Sequence, residues 1–156
     1  MRWSIFRNRF VIILICLVAG YFASKIPGRI TLCKTKSVQY CVYWTMPYNT
    51  DSEIALENKY IRAIIDIDLP NTDCKPCQIV KRVGCDSLSW IQVKDKTFYC
   101  DGNPISEAFR DDFIATDGII PEDKVFLIGD HQSSYDSRYF GLVEKSKINA
   151  TLLPLF

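Results

Sequence analysis

Fourteen consecutive residues, Phe10 through Ala23 (FVIILICLVAGYFA), carry no charge and follow Arg2, Arg7 and Arg9. A run this apolar behind a basic leader is directed to a membrane. At about 1.5 Å per residue it falls short of the roughly 30 Å hydrocarbon layer, but Ile5, Phe6 and Ile26 extend it while Arg7, Arg9 and Lys25 snorkel. We read residues 1–26 as one N-terminal transmembrane anchor and residues 27–156 as a single domain. The competing reading is a secretory signal cut near Gly20, with Val18 and Gly20 at the small-residue positions.

Charge is divided in the same way. Residues 1–50 contain seven charged side chains, all basic, whereas the 18 acidic residues follow with the other 12 Lys and Arg. The net charge of +1 therefore conceals a basic membrane-proximal end and an acidic body. A nucleic-acid binder is not expected, because the basic excess is confined to the part beside lipid. Of seven cysteines, Cys16 lies in the apolar run and six remain for the body. An even set favours disulfides and an oxidising compartment. Pairing stays open at this level; Cys74 with Cys77 is a local option, and Cys85 with Cys100 would join the ends of a hairpin.

Beyond Pro27 and Gly28 the pattern is mainly β. Val38–Trp44 reads as the first strand, with a turn at Pro47, Tyr48 and Asn49. Residues 61–69 (IRAIIDIDL) alternate from Ile65 onward until Pro70 and Asn71 close the strand. Residues 78–83 (QIVKRV) place Ile79, Lys81 and Val83 on one face. Trp90–Val93 and Thr97–Cys100 form a hairpin, Asp101-Gly102 is another turn, and Ser106–Phe113 reads as a brief helical turn. Lys124–Ile128 is a strand, Gly129–Arg138 a polar loop, and Tyr139–Val143 a last strand or extended stretch.

Lys81 is the anomaly in this pattern. A lysine between Ile79 and Val83 either faces water or is buried, and burial would lower its pKa from about 10.4 towards 8 or below, leaving neutral amine to act as a base. Arg82 cannot do this, since guanidinium stays protonated. The single His131 supports a rival arrangement with a serine and Asp130 or Asp136.

Three segments in order resemble the signal peptidase I superfamily of serine/lysine proteases, and within it the conjugative-transfer peptidases of the TraF type. They are residues 35–43 (TKSVQYCVY), residues 80–84 (VKRVG) and residues 129–143 (GDHQSSYDSRYFGLV). Gln39 replaces the usual proline, Cys41 the branch's glycine, and Gly84-Cys85-Asp86-Ser87 the usual Gly-x-Pro-Gly-Asp turn. The resemblance implies a β-barrel or β-sheet protease domain, with Ser37 as nucleophile and Lys81 as general base. It also implies that Thr35 helps the Ser37 N–H hold the oxyanion, that Ser134 orients Lys81, and that Asp136 and Arg138 form a supporting ion pair. No cofactor or metal is implied. The expected partners are the lipid bilayer and an extended precursor polypeptide, such as a pilin, cleaved or cyclised at the outer face of the cytoplasmic membrane. Two other classes stay in view: a thiol-disulfide oxidoreductase using Cys74 and Cys77, and a noncatalytic assembly subunit.

Overall fold

A computed structural model describes residues 2–25, 27–50, 54–70 and 73–156. Met1, Ile26 and Asn71, to which the sequence reading assigns parts of the anchor and a turn, lie outside the described residues. Helix α1 (Arg2–Lys25) is followed by a 3-10 turn, Pro27–Arg29. Val11 to Val18 expose their apolar side chains. No helix among the described residues is long and apolar enough to cross a membrane.

Among the described residues the body has eleven strands: β1 (Ile30–Leu32), β2 (Val42–Pro47), β3 (Tyr60–Ile65), β4 (Cys77–Cys85), β5 (Trp90–Lys94), β6 (Thr97–Cys100), β7 (Asn103–Glu107), β8 (Gly118–Ile119), β9 (Lys124–Ile128), β10 (Val143–Glu144) and β11 (Ile148–Pro154). They form a seven-stranded sheet, β1-β2-β11-β3-β4-β9-β10, and a four-stranded sheet, β7-β6-β5-β8. The mainly β expectation holds, but the barrel alternative does not. The large sheet ends in the short strands β1 and β10, which do not pair with each other, so it stays open.

Alternation explains how the two sheets share a core. In β9, Val125 and Leu127 enter one apolar cluster with Ile61, Ile79 and Val83, while Phe126 and Ile128 enter a second with Ile91 and Phe98. Side chains of opposite parity point to opposite faces, so one strand serves both clusters. Phe98 and Phe126 stack with ring centroids 5.3 Å apart. The Cys85–Cys100 disulfide ties the end of β4 to the end of β6. It thus staples the two sheets together rather than the ends of one hairpin. Cys74–Cys77 is the second disulfide, at the start of β4.

Several local expectations change. Residues 38–41 are not strand; they belong to a turn-rich loop between β1 and β2. The apolar character of Val38 comes from docking in a third cluster with Tyr43 and Tyr60. Ser106 and Glu107 end β7 instead of opening a helical turn. Tyr139 and Phe140 belong to a short helix, α2 (Ser137–Phe140), capped by Asp136. The last strand is β11, whose Ile148, Ala150 and Leu152 alternate inward. The β5–β6 hairpin forms as expected, with Asp95 and Lys96 both at positive φ as a two-residue turn requires.

Candidate active site

Lys81 lies in the middle of β4, opposite Ile61 of β3. Its face of the strand is buried from Ile79 through Val83, and the lysine itself is only 4% exposed. On the other side of β4, Arg82 pairs with Ile128 at the end of β9. The antiparallel register therefore delivers the segment after Ile128 alongside Lys81. Ser134 in that segment, itself buried, accepts a 2.5 Å hydrogen bond from Lys81 Nζ.

Burial dominates the electrostatics here. It lowers the Lys81 pKa to about 8, against opposing attraction from Asp136, with Arg138 pushing the same way as burial and Asp130 resisting. A neutral amine is therefore available near neutral pH, which a solvated lysine does not provide.

Ser37 enters from the loop between β1 and β2. Its Oγ is 3.0 Å from Thr35 Oγ1, and its carbonyl accepts a hydrogen bond from the His131 N–H at 3.4 Å. Ser37, Thr35, Lys81 and Tyr135 line one cleft of about 400 Å³. Thus Ser37 and Lys81 open into one space, each bonded to its own hydroxyl partner, without a direct bond between them. Such bonds are often long before substrate arrives.

The frame around these groups is held by two acidic residues. Asp130 accepts hydrogen bonds from the Gln39 N–H (2.9 Å), Tyr60 OH (2.8 Å) and Arg82 Nε (3.1 Å), so it fastens the Ser37 loop to β3 and β4. Asp136, fully buried, accepts from the Gly129 N–H (2.7 Å) and from Arg138 Nε and Nη2 (both 2.7 Å). Arg138 also donates to the Ser134 carbonyl at 3.2 Å, which links the ion pair to the lysine's partner.

Losing one member of such a pair leaves a buried charge uncompensated. Arg138→Met is therefore expected to destabilise the domain by about 3–5 kcal/mol, read from the midpoint and slope of urea unfolding. An unchanged midpoint would contradict that role.

Gly129 is a feature that sequence reasoning quoted only as part of a motif. A Cβ added there would lie 2.0 Å from Ser134 Oγ and 2.7 Å from the Ser37 carbonyl oxygen. The bare glycine is what lets the two segments meet. The Asp130 clamp was also missed, because Tyr60, Gln39 and Arg82 are far apart in the chain; the adjacent Gly-Asp was the available signal.

The rival arrangements are not assembled. His131 Nδ1 lies 2.9 Å from Ser133 Oγ and takes a bond from the Ser133 N–H, while Asp130 and Asp136 bond elsewhere. Cys77 is the buried first residue of a strand and does not open a helix that would activate a thiol.

The family model described as signal peptidase, peptidase S26, matches residues 10–155. A signal peptidase I from Enterococcus faecalis V583 superposes with a TM-score of 0.44 at 18% identity, covering 67% of this chain and 98% of that one. No curated protein matches the chain. Matched over nearly its whole length, the chain belongs to the signal peptidase family, peptidase S26.

Proposed function

We propose that this peptidase cleaves exported precursor polypeptides with Ser37 as nucleophile and Lys81 as general base. The observation that carries the reading is a lysine buried on a strand face, lowered to about 8 and opening into the same cleft as Ser37. Neutral Lys81 takes the proton from Ser37 Oγ as that oxygen attacks the scissile carbonyl. The tetrahedral oxyanion is met by the Ser37 N–H and the Thr35 hydroxyl, one such donor being worth roughly 3 kcal/mol. Lys81 then returns its proton to the leaving amine, and water releases the acyl group. Ser134 fixes the amine's direction throughout. An attacking amine from the substrate's own chain would give a cyclic product in place of hydrolysis.

The cleft suits an extended chain, since it is bordered by residues 31–35 and by Gln78–Lys81. The exposed apolar side chains of Val11 to Val18 and the basic residues around them support attachment to a bilayer, with the body on the outer, oxidising face. The two disulfides favour the same side. We place the substrate among pilin-like precursors of a conjugation or secretion apparatus, on the resemblance of residues 129–143 to the TraF type.

The test is cleavage of a membrane-inserted precursor by purified full-length protein and by Ser37→Ala. The variant is expected to lose at least about 10³-fold in kcat/KM while keeping its unfolding midpoint. Cleavage within a factor of about two of the unmodified protein would remove Ser37 from the mechanism.

A further inference from the structure

The loop that carries Thr35 and Ser37 is closed at its base by a pair of cysteines. β1 and β2 pair antiparallel, with Thr31 opposite Tyr43 and Leu32 opposite Val42, and the next rung brings Cys33 opposite Cys41. One bond continues the ladder: the Cys33 N–H donates to the Cys41 carbonyl at 2.9 Å, while the Cys41 N–H donates to the Phe156 carbonyl at 2.8 Å. Residues directly opposed in an antiparallel ladder project from the same face with Cβ atoms about 4.5–5.5 Å apart. A disulfide spans Cα separations of about 4.4–6.8 Å and Cβ separations of about 3.5–4.5 Å, so an opposed pair is bridged once its Cβ atoms draw together by about 1 Å.

Burial raises the pKa of Cys33, and the Cys41 thiolate raises it further. Both sulfurs are unpaired here, Cys33 half-buried and Cys41 exposed, while Cys74–Cys77 and Cys85–Cys100 are joined.

We propose that Cys33 and Cys41 form a third, cross-strand disulfide that locks the base of the Ser37 loop. Its far side is already held, through the Gln39 N–H on Asp130 and the Ser37 carbonyl on the His131 N–H. Both of those contacts are single bonds near the surface. A covalent base would confine residues 34–40 to the conformation in which Ser37 faces Lys81, by removing open states of the loop.

The chemistry needs a disulfide oxidant, either oxidised glutathione or an enzymic dithiol oxidase of the oxidising compartment. The Cys41 thiolate, the exposed one, attacks an oxidant sulfur and expels one thiolate. The Cys33 thiolate then attacks the Cys41 sulfur, forms the S–S bond and expels the second. Two electrons pass to the oxidant, which leaves as two thiols with the two protons.

The disulfide can be tested without any activity. The full chain in detergent is equilibrated with oxidised and reduced glutathione, quenched in acid, alkylated and digested with trypsin unreduced. Cleavage after Lys34 and Lys36 separates the two cysteines, so the bond appears as a peptide ending at Lys34 linked to one beginning at Ser37. Cys16 should be the one alkylated cysteine. Alkylation of both Cys33 and Cys41, or linkage of either to a third cysteine, would overturn the proposal.

The effect on the loop is read separately with Cys33→Ser, Cys41→Ser and the double variant. Because each breaks the same bond, all three are expected to be nicked at Lys34 and Lys36 faster than the parent by the same factor, about 3–10-fold. That readout is independent of the proposed peptidase mechanism. In precursor cleavage, which does rest on it, the three should share one loss of kcat/KM. A loss in Cys33→Ser alone would mark a cleft contact and reject the lock.

Discussion

Lys81→Met is expected to abolish precursor cleavage, by at least about 10³-fold in kcat/KM, while leaving the protein as stable as before or more so. The two effects have one origin. Lys81 is 4% exposed, and its pKa falls from 10.5 to about 8 because the charged form is poorly solvated there. Below about pH 8 the folded state must either bury the ammonium or give up a proton that the unfolded chain keeps. A depressed lysine pKa therefore costs stability at pH 7, and the cost is relieved as pH rises from 8 towards 10.5. Methionine removes that cost, of order 3 kcal/mol, and fills similar volume. It also leaves the buried Ser134 hydroxyl without its amine, which returns about 1–3 kcal/mol. Unfolding measured at pH 7 and at pH 9.5 should show the parent gaining on the variant at the higher pH. A large loss of stability in Lys81→Met would mean the amine is a structural ion instead of a neutral base.

Gly129→Ala is expected to lose about 10²-fold or more in cleavage through geometry alone. The new methyl would lie 2.0 Å from Ser134 Oγ, 2.4 Å from Ser134 Cβ and 2.7 Å from the Ser37 carbonyl oxygen. The serine side chain could rotate away, but the Ser37 carbonyl is backbone and moves only with its loop. Relief therefore separates the nucleophile's loop from the lysine's partner. The overpacking should also cost about 1–3 kcal/mol in unfolding. Combined with Ser134→Gly, which clears two of the three contacts, the stability loss should shrink while cleavage stays low. Full activity in Gly129→Ala would show that the approach of the two segments is not needed.

What the sequence revealed of this site follows from the range of each signal. Alternation is local, so the residues flanking Lys81 put it on one face with Ile79 and Val83 before any fold was known, but whether that face met water or the core was left open, and β4 buries it. The same rule applied to Val38–Trp44 held for Val42–Trp44, which open β2, and failed for residues 38–41. Val38 is apolar because it docks as a loop residue against Tyr43 and Tyr60, and pattern alone does not separate that from a strand face. β11 was not read from the sequence although Ile148, Ala150 and Leu152 alternate, and its place between β2 and β3 could not be, since no local feature records which strands a distant segment will join. The open sheet was unreadable for the same reason. The Asp130 clamp gathers Gln39, Tyr60 and Arg82 from three places, and only the fold brings them together. The Cys85–Cys100 pairing was one option among several left open, and its function as a staple between sheets required knowing that β4 and β6 lie in different ones.

The pH dependence of kcat/KM for precursor cleavage by the full-length protein tests the pairing of Ser37 with Lys81 most directly. Since kcat/KM reports the free enzyme's essential base, the rate should rise tenfold per pH unit at low pH and level off above about pH 8, where Lys81 becomes neutral. The same profile should survive in His131→Asn. A rise that is lost in that variant would contradict the account and assign the proton to His131.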